Sequence, residues 1–138
     1  MKGSKIDCFV TQKLSWNTMN KFPNSTFIWE GIDGTQVFAH FPPADTYNAM
    51  VLVRELLFNV KNFKDKERSH TSLMLFGHGF VKYFFSNYSS DGGGGANVDM
   101  LERIKRCGDV DGLPRVQVKT PKEFFDVVKQ DYEKKGLH

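Results

Sequence analysis

The chain has 138 residues, of which 40% are hydrophobic and 25% are charged, and its formal net charge is +3 at pH 7. This length is enough to bury about two-thirds of the surface of the unfolded chain, so we expect one domain or part of one. Acidic and basic residues are interspersed, and no run approaches the roughly 18 apolar residues of a membrane span. Neither nucleic acid nor a membrane is therefore a predicted partner.

The two cysteines, Cys8 and Cys107, are too few for a disulfide framework. Reduced thiols are typical of cytosolic proteins. The first residues carry charge but no long apolar run, so no secretory signal peptide is predicted. We therefore expect a cytoplasmic protein.

The N-terminal third of the sequence predicts three strands and a short helical segment. Residues 6–12 form an apolar run suited to a strand, and "SWNTMNKF" is interpreted as one or two helical turns that end at Pro23. Two further strands flank residues 31–34, whose two glycines favour a hairpin turn. Pro42 and Pro43 end the second of these strands.

A longer helix is predicted from Thr46, with Asp45 or Thr46 as its cap. The apolar residues that define its helical spacing are Ala49, Val53, Leu56, Val60 and Phe63. Residues 71–77, "TSLMLFG", form a continuous apolar run between polar segments. This pattern predicts a strand that is buried on both faces.

The C-terminal part predicts two helices separated by a strand. The first helix carries Val98, Leu101 and Ile104 at helical spacing, joined by Met100 and Cys107. "RVQVK", residues 115–119, predicts the strand. Thr120 caps the last helix, Pro121 takes its first position and Glu123 completes a capping box. The predicted buried stripe of this helix is Phe124, Phe125, Val128 and Tyr132, and Gly136 is predicted to end it.

The predicted order alternates strands and helices with connections long enough for parallel pairing, which indicates an α/β layered domain. The sequence stops just after a helix without a closing strand, so an incomplete domain is expected.

Four consecutive glycines follow Asp91 and precede a predicted helix, and three interpretations of this loop are open. Ligands of α/β proteins bind where a strand ends and a helix begins. A phosphate would use free backbone N–H groups, but neither phosphate-loop spacing is present and Asp91 would repel an anion. A sugar would use close backbone approach and a carboxylate for proton transfer. A plain surface loop would need only the turn chemistry of Asp-Gly.

Five motifs in order decide between these interpretations. Together they closely resemble the cytosolic-type α-mannosidases of glycoside hydrolase family 38, and the likeness covers nearly the whole chain. The motifs are "TQKLSWNTMNKFP" (11–23), "FIWEGIDGTQV" (27–37), "HFPPADTYNA" (40–49), "LFGHG" with "DGGGG", and "DGLPRVQV" (111–118).

The resemblance implies a fold, a reaction and a metal. Residues 1–138 would be a partial catalytic domain, an incomplete piece of a seven-stranded α/β barrel-like fold. The implied reaction is retaining hydrolysis of terminal α-linked mannose, so the expected partners are an oligosaccharide with α-mannosyl ends and the rest of the catalytic domain. Zinc or cobalt is implied for the complete enzyme. None of the four histidines here lies in a matching ligand motif, so no metal ligand is predicted in this chain.

Asp91 matches the family's loop aspartate and is the candidate acid/base. The glycines that match are Gly92, Gly93, Gly94 and Gly95, the predicted backbone lining of a mannose subsite. Asp33 and Glu30 are interpreted as turn and support groups, with Asp33 as a lesser candidate for a substrate contact. Residues 80–90 form an atypical insertion within this glycine-rich loop, where relatives have nothing. The insertion indicates translated intron sequence or a gene-model error, or else an added loop, and it would displace Asp91.

The leading hypothesis is thus an α-mannosidase fragment, inactive alone because it lacks a nucleophile and metal ligands. Two alternatives from other classes are kept. One is a non-catalytic truncated module that binds carbohydrate or regulates a full-length partner, and the other is a phosphate-binding α/β domain.

Overall fold

The computed structural model describes residues 5–77 and 95–135, which form a small mixed sheet and three helices. An α/β fold class is therefore confirmed for these residues. Three strands come first and three helices follow, so the expected alternation of strands and helices is wrong. The elements are β1 (Cys8–Val10), β2 (Thr26–Glu30), β3 (Gln36–His40), α1 (Val53–Asn62), α2 (Val98–Cys107) and α3 (Pro121–Lys134).

The sheet has the order β1-β3-β2, with β3 in the centre. β3 pairs in parallel with β1 and antiparallel with β2. The predicted hairpin around residues 31–34 is confirmed, and its turn contains Gly34 at φ +76°, a left-handed conformation that glycine adopts without steric cost. Among the described strands, only β1 and β3 have the parallel pairing that the sequence led us to expect.

Helix α3 covers one face of the sheet and carries the main core. Its capping box is confirmed: the Thr120 hydroxyl accepts a hydrogen bond from the Glu123 N–H, and the Glu123 carboxylate accepts one from the Thr120 N–H. The predicted stripe is also confirmed, since all four of its residues are buried. Each such side chain contributes about 1.5–3 kcal/mol by leaving water. The stripe packs against Cys8, Val10, Phe38 and Leu73.

Helix α1 begins at Val53 rather than at Thr46, so the predicted start and both predicted caps are wrong. Val51 has φ +57°, which no residue inside a right-handed helix adopts. The N–H groups of Met50 and Leu52 instead donate to the Glu55 carboxylate, at 3.0 and 2.8 Å. Of the five residues that suggested the helix, Ala49 lies before it and is buried, Val53 and Val60 are exposed, and Leu56 and Phe63 are buried.

Helix α2 is confirmed at the predicted place, with the Asn97 side chain accepting a hydrogen bond from the Met100 N–H at 2.8 Å. Its buried residue is Met100, whereas Val98 and Leu101 are exposed. The apolar spacing therefore located the helix but not its buried face.

Three predicted elements are absent from the described residues. Residues 71–77 are not a strand buried on both faces; their only pairing is a single parallel bridge between Ala49 and Phe76. Residues 115–119 have no partner strand and are mostly exposed. The segment "SWNTMNKF" forms turns and no helix, and within it the Asn17 side chain accepts the N–H groups of Met19 and Asn20, each at 3.0 Å. The predicted helix end at Gly136 lies outside the described residues.

A buried carboxylate fixes the start of β2. Asp65 accepts hydrogen bonds from the N–H groups of Ser25 and Thr26, at 2.6 and 2.8 Å, and lies 3.7 Å from the Arg68 guanidinium. Thr26 is fully buried, and its carbonyl accepts a hydrogen bond from the Tyr132 hydroxyl of α3 at 3.1 Å. The loop after α1, the sheet and α3 are thereby joined at one residue.

His40 ends β3 and is fully buried beneath α3. Its Nδ1 shares a hydrogen bond with the Thr26 hydroxyl at 2.8 Å, and its ring packs edge-on against Phe124. Burial lowers the pKa of His40 to about 3, so the imidazole is neutral in the folded protein at neutral pH. The ring is thus part of the packed core beneath α3.

Replacing Asp65 by alanine is expected to lower the free energy of unfolding by about 2–4 kcal/mol, because two buried N–H groups lose their acceptor. Urea denaturation followed by circular dichroism measures the change. Asp33→Ala is the matched control: its carboxylate also accepts two hydrogen bonds, but at an exposed turn. We expect the control to lose less than about 1 kcal/mol. Equal losses in the two variants would contradict the assigned role of Asp65.

The buried His40 predicts acid-sensitive stability. Its folded pKa lies below its ordinary value, so the unfolded chain binds the extra proton. The contribution of the neutral His40 to the free energy of unfolding is complete above about pH 6.5 and is lost as the pH falls from there towards 3. Between pH 7 and pH 5 the free energy of unfolding should fall by about 2 kcal/mol from this group. His40→Asn, which can keep the bond to Thr26, should remove that slope in denaturation curves, whereas His70→Gln at an exposed position should not. An unchanged slope in the His40 variant would show that this histidine does not titrate as described.

Candidate functional site at the carboxyl edge of the sheet

The parallel strands β1 and β3 end side by side, with Val10 paired to His40. We call this end of the sheet the carboxyl edge, and it includes the segments that leave it, residues 11–16 and 41–50. Ligands of α/β proteins bind beyond the carboxyl ends of parallel strands. A ligand-binding site is therefore expected at the carboxyl edge.

A buried glutamine ties the two segments together. The Gln12 side-chain amide donates to the Pro42 carbonyl at 2.8 Å, and its carbonyl accepts from the Ser15 hydroxyl at 3.0 Å. The Gln12 backbone N–H donates to the Tyr47 hydroxyl oxygen at 2.7 Å. Because Gln12 has no exposed surface, these bonds are required to offset the loss of water.

Asp45 adopts a left-handed backbone conformation, φ +53°, which aspartate tolerates better than most residues. One of its carboxylate oxygens accepts from the Ser15 hydroxyl at 3.2 Å and the other lies 3.4 Å from the Asn62 amide. Its backbone carbonyl accepts from the Trp16 indole N–H at 3.1 Å. The carboxylate is thus held in place from two sides.

Tyr47, like His40 at the same end of the sheet, has a shifted pKa. Burial would raise the pKa of its hydroxyl, but the Gln12 N–H and the Thr11 side chain stabilise the phenolate and lower it below the ordinary value. The Tyr47 ring also meets Trp16 edge-to-face, with 6.0 Å between ring centroids.

A shallow cavity of about 170 Å³ opens beside these residues. Its walls combine aromatic rings, amides, one carboxylate and two ammonium groups. The side chains of this kind are Phe22, Phe41, Asn62, Asp45, Lys21 and Lys64. Such a mixture suits a small polar ligand with one apolar face.

The glycine loop is flanked by residues that meet at one turn. Before the loop, Phe76 bridges Ala49. After it, Arg103 of α2 donates to the Met50 carbonyl at 2.8 Å. The turn contains the strained and buried Val51. Non-glycine residues in this conformation cost about 1–3 kcal/mol and persist where surrounding contacts fix them.

Most of the predicted site residues lie in the loop itself. Asp91, Gly92, Gly93 and Gly94 are outside the described residues, as is the predicted insertion at residues 80–90. Gly95 is exposed, and no atom of the described residues lies within 4 Å of where its Cβ would be. The mannose subsite assigned to this loop therefore stays a prediction.

Asp33 lies in the β2–β3 hairpin turn, at the end of β3 opposite to His40. Its carboxylate accepts from the N–H and the hydroxyl of Thr35, at 3.0 and 2.9 Å, and these bonds lower its pKa. Glu30 accepts from the Gln36 amide at 2.7 Å. The described residues thus do not bring Asp33 to the carboxyl edge, and its substrate contact also stays a prediction.

The described residues also bear on whether this part of the chain could hold a metal ion. In residues 5–77 and 95–135, no three or more histidine, cysteine, aspartate or glutamate side chains form a group that could hold a metal ion. Both cysteines are free thiols. No helix among the described residues is long and apolar enough to cross a membrane.

The sequence pattern does not indicate that Gln12 and Trp16 belong to the carboxyl edge, and it indicates Asp45 only as a helix cap. The sequence signal for Gln12 is a polar residue that ends an apolar strand in a segment with an aromatic four positions later. That signal is weak, because its meaning depends on the segment at residues 41–50 lying beside it.

Comparisons with known proteins agree with the α/β architecture. The family model described as "Glycosyl hydrolases family 38 N-terminal domain" matches residues 1–137. Alpha-mannosidase 2C1 of Homo sapiens is 47% identical over 133 residues, which are 96% of this chain and 12% of the human protein. Alpha-mannosidase G of Dictyostelium discoideum is 48% identical over 120 residues, 87% of this chain and 10% of that protein.

Alpha-mannosidase of Saccharomyces cerevisiae is 41% identical over 129 residues, 89% of this chain and 11% of the yeast protein. The chain thus spans about a tenth of the length of the curated relatives it matches. The predicted relationship is confirmed: this chain belongs to glycosyl hydrolase family 38 and matches the N-terminal domain of that family.

Proposed function

We propose that this chain forms part of the catalytic domain of a retaining α-mannosidase that removes terminal α-linked mannose from oligosaccharides. The observation that carries the proposal is the family match over residues 1–137 together with relatives named alpha-mannosidase at 41–48% identity. The complete domain would be the seven-stranded barrel-like fold that the resemblance implies, and the cytoplasm would be its compartment.

The described residues support a ligand site next to the glycine loop. The segment before the loop ends beside Phe76, whose bridge partner Ala49 belongs to the carboxyl edge. The loop is followed by α2, which Arg103 fastens to Met50 of the same edge. Both ends of the loop are therefore anchored where parallel strands deliver their ligands.

In the proposed reaction Asp91 is the general acid and base. As an acid it would donate a proton to the oxygen of the glycosidic bond while a nucleophile, which we do not assign in this chain, forms the glycosyl intermediate. As a base it would then take a proton from the water that hydrolyses this intermediate. Gly92, Gly93, Gly94 and Gly95 would let the main chain approach the sugar without side-chain interference.

The family resemblance implies zinc or cobalt, which supplies Lewis-acid chemistry and grips sugar hydroxyls when bound. Side chains of the described residues form no ligand group for such an ion. We therefore propose that the metal ligands belong to the rest of the catalytic domain.

Asp91→Asn tests the proposal in the polypeptide extended to the length of its relatives and freed of residues 80–90. We expect kcat for an unactivated mannoside to fall about 10²–10⁴-fold, the usual contribution of a positioned general acid. The basic limb of the pH profile of kcat should disappear with it. Hydrolysis is measured by mannose release at saturating substrate.

The control is Asp126→Asn, an exposed carboxylate of α3 that pairs with Lys122. It should change kcat less than about twofold. Asp33→Asn tests the lesser candidate, for which a rise in KM with unchanged kcat is the signature of a substrate contact. Undiminished kcat in Asp91→Asn would remove Asp91 from the mechanism, and no mannoside hydrolysis by the extended parent would overturn the proposed function.

A further inference from the structure

Trp16 is a partly exposed aromatic residue on the carboxyl edge, with 42% of its surface accessible. Two contacts fix the ring: the indole N–H donates to the Asp45 carbonyl at 3.1 Å, and Tyr47 packs against it at an interplanar angle of 77°. A tryptophan that is held at its polar atom and one edge loses little freedom when a ligand covers the remaining surface.

The exposed ring already attracts a polar group. The Lys13 ammonium lies 5.1 Å from the ring centroid, a cation–π geometry. Lys13 itself is exposed, and such contacts are weak at the surface, so the lysine can be displaced. The face is therefore available to a ligand whose own apolar side can lie flat on it.

Hydrogen-bonding groups stand next to the ring. Ser15, Asp45 and Asn62 all line the 170 Å³ cavity, and the Asn62 amide lies 3.4 Å from the Asp45 carboxylate. Hydroxyl groups of a sugar can pair with such a carboxylate and amide while the C–H face of the pyranose packs on the indole. An aromatic platform beside a few convergent polar groups is the usual composition of a small-ligand site.

This arrangement can bind a sugar but cannot cleave one. Retaining hydrolysis needs two carboxyl groups about 5 Å apart, and among the described residues Asp45 is the one acidic side chain that lines the cavity. Its oxygens make long contacts to the Ser15 hydroxyl at 3.2 Å and the Asn62 amide at 3.4 Å, which orient the carboxylate and leave it able to accept further hydrogen bonds.

We propose that Trp16 is a stacking platform for the sugar that neighbours the mannose to be cleaved. The pyranose C–H face lies on the indole, and its hydroxyls face Asp45 and Asn62. The inference rests on the proposed mannosidase function and deepens it, since it assigns recognition of the leaving-group sugar to this edge.

The chain contains one matched comparison. Its only other tryptophan, Trp29, is 40% exposed, almost the same as Trp16. Trp29 packs among aromatic rings of the sheet, Phe9 at 6.0 Å and Phe27 at 6.1 Å between centroids. Neither tryptophan lines the cavity itself, but Trp16 donates a hydrogen bond to Asp45, which does. Equal exposure with different surroundings makes Trp29→Ala a control for the loss of an exposed indole.

Kinetics of the extended enzyme with two substrates test the platform. A mannose disaccharide has a leaving-group sugar, whereas α-mannosyl fluoride has none. Trp16→Ala should lower kcat/KM for the disaccharide about tenfold, the scale of one lost aromatic contact. It should leave kcat/KM for the fluoride within about twofold, and Trp16→Phe should recover part of the loss. Trp29→Ala should affect the two substrates equally.

Equal losses with both substrates in Trp16→Ala, or no loss with either, would overturn the assignment while leaving the mannosidase function intact. If the extended parent hydrolyses neither substrate, the proposed function is overturned. Binding of the disaccharide to the 138-residue chain then tests whether Trp16 contacts a sugar. The chain has two indole N–H resonances, which the Trp16→Phe variant assigns. Titration with the disaccharide should shift the Trp16 resonance and not that of Trp29; an unmoved Trp16 resonance then overturns the inference.

Discussion

The folded arrangement depends on the buried residue Thr26, whose polar atoms all find partners from different parts of the chain. Its N–H donates to Asp65, its hydroxyl bonds to His40 and its carbonyl accepts from Tyr132. Leaving any of these groups without a partner would cost about 1–3 kcal/mol. The position of α3 over the sheet and the position of the loop after α1 are consequently not independent. Both are set by one residue at the start of β2, directly opposite the end of β3.

Fixing the end of β3 also fixes the segment that leaves it. Residues 41–50 pass from a buried proline pair to the left-handed Asp45 and then to the turn at Val51. Neither conformation is favourable for a side chain-bearing residue, and both are held by hydrogen bonds from outside the segment: Ser15 to Asp45, and Arg103 to Met50. Strain that is retained by surrounding contacts is common at functional sites. Here it is concentrated at the carboxyl edge.

The sequence predicted those elements whose stability is local. The capping box of α3 needs only Thr120 and Glu123, and the hairpin needs only a turn in which Gly34 takes a positive φ. The wrong predictions concern contacts that composition and apolar spacing do not record, including those of Asn17 and Glu55. Residues 71–77 have the composition of a strand, but among the described residues their only β-bridge is the one to Ala49. The apolar spacing from Ala49 to Phe63 predicted a helix through the turn at Val51. Such spacing indicates which residues are buried but not which part of the chain covers them.

The same distinction applies to the site. A row of glycines after an aspartate is visible in any sequence, so Asp91 and its loop could be proposed without a structure. Trp16 could not, because its exposure and its contact with Asp45 depend on two segments separated by 29 positions in the chain. A glycosidase needs both kinds of residue. Groups that act on the scissile bond must be of particular chemical types and can be recognised as motifs, whereas groups that hold the neighbouring sugar need only an open face and nearby polar atoms. In the proposed function, recognition of the leaving-group sugar therefore depends on the folded carboxyl edge and not on a sequence motif.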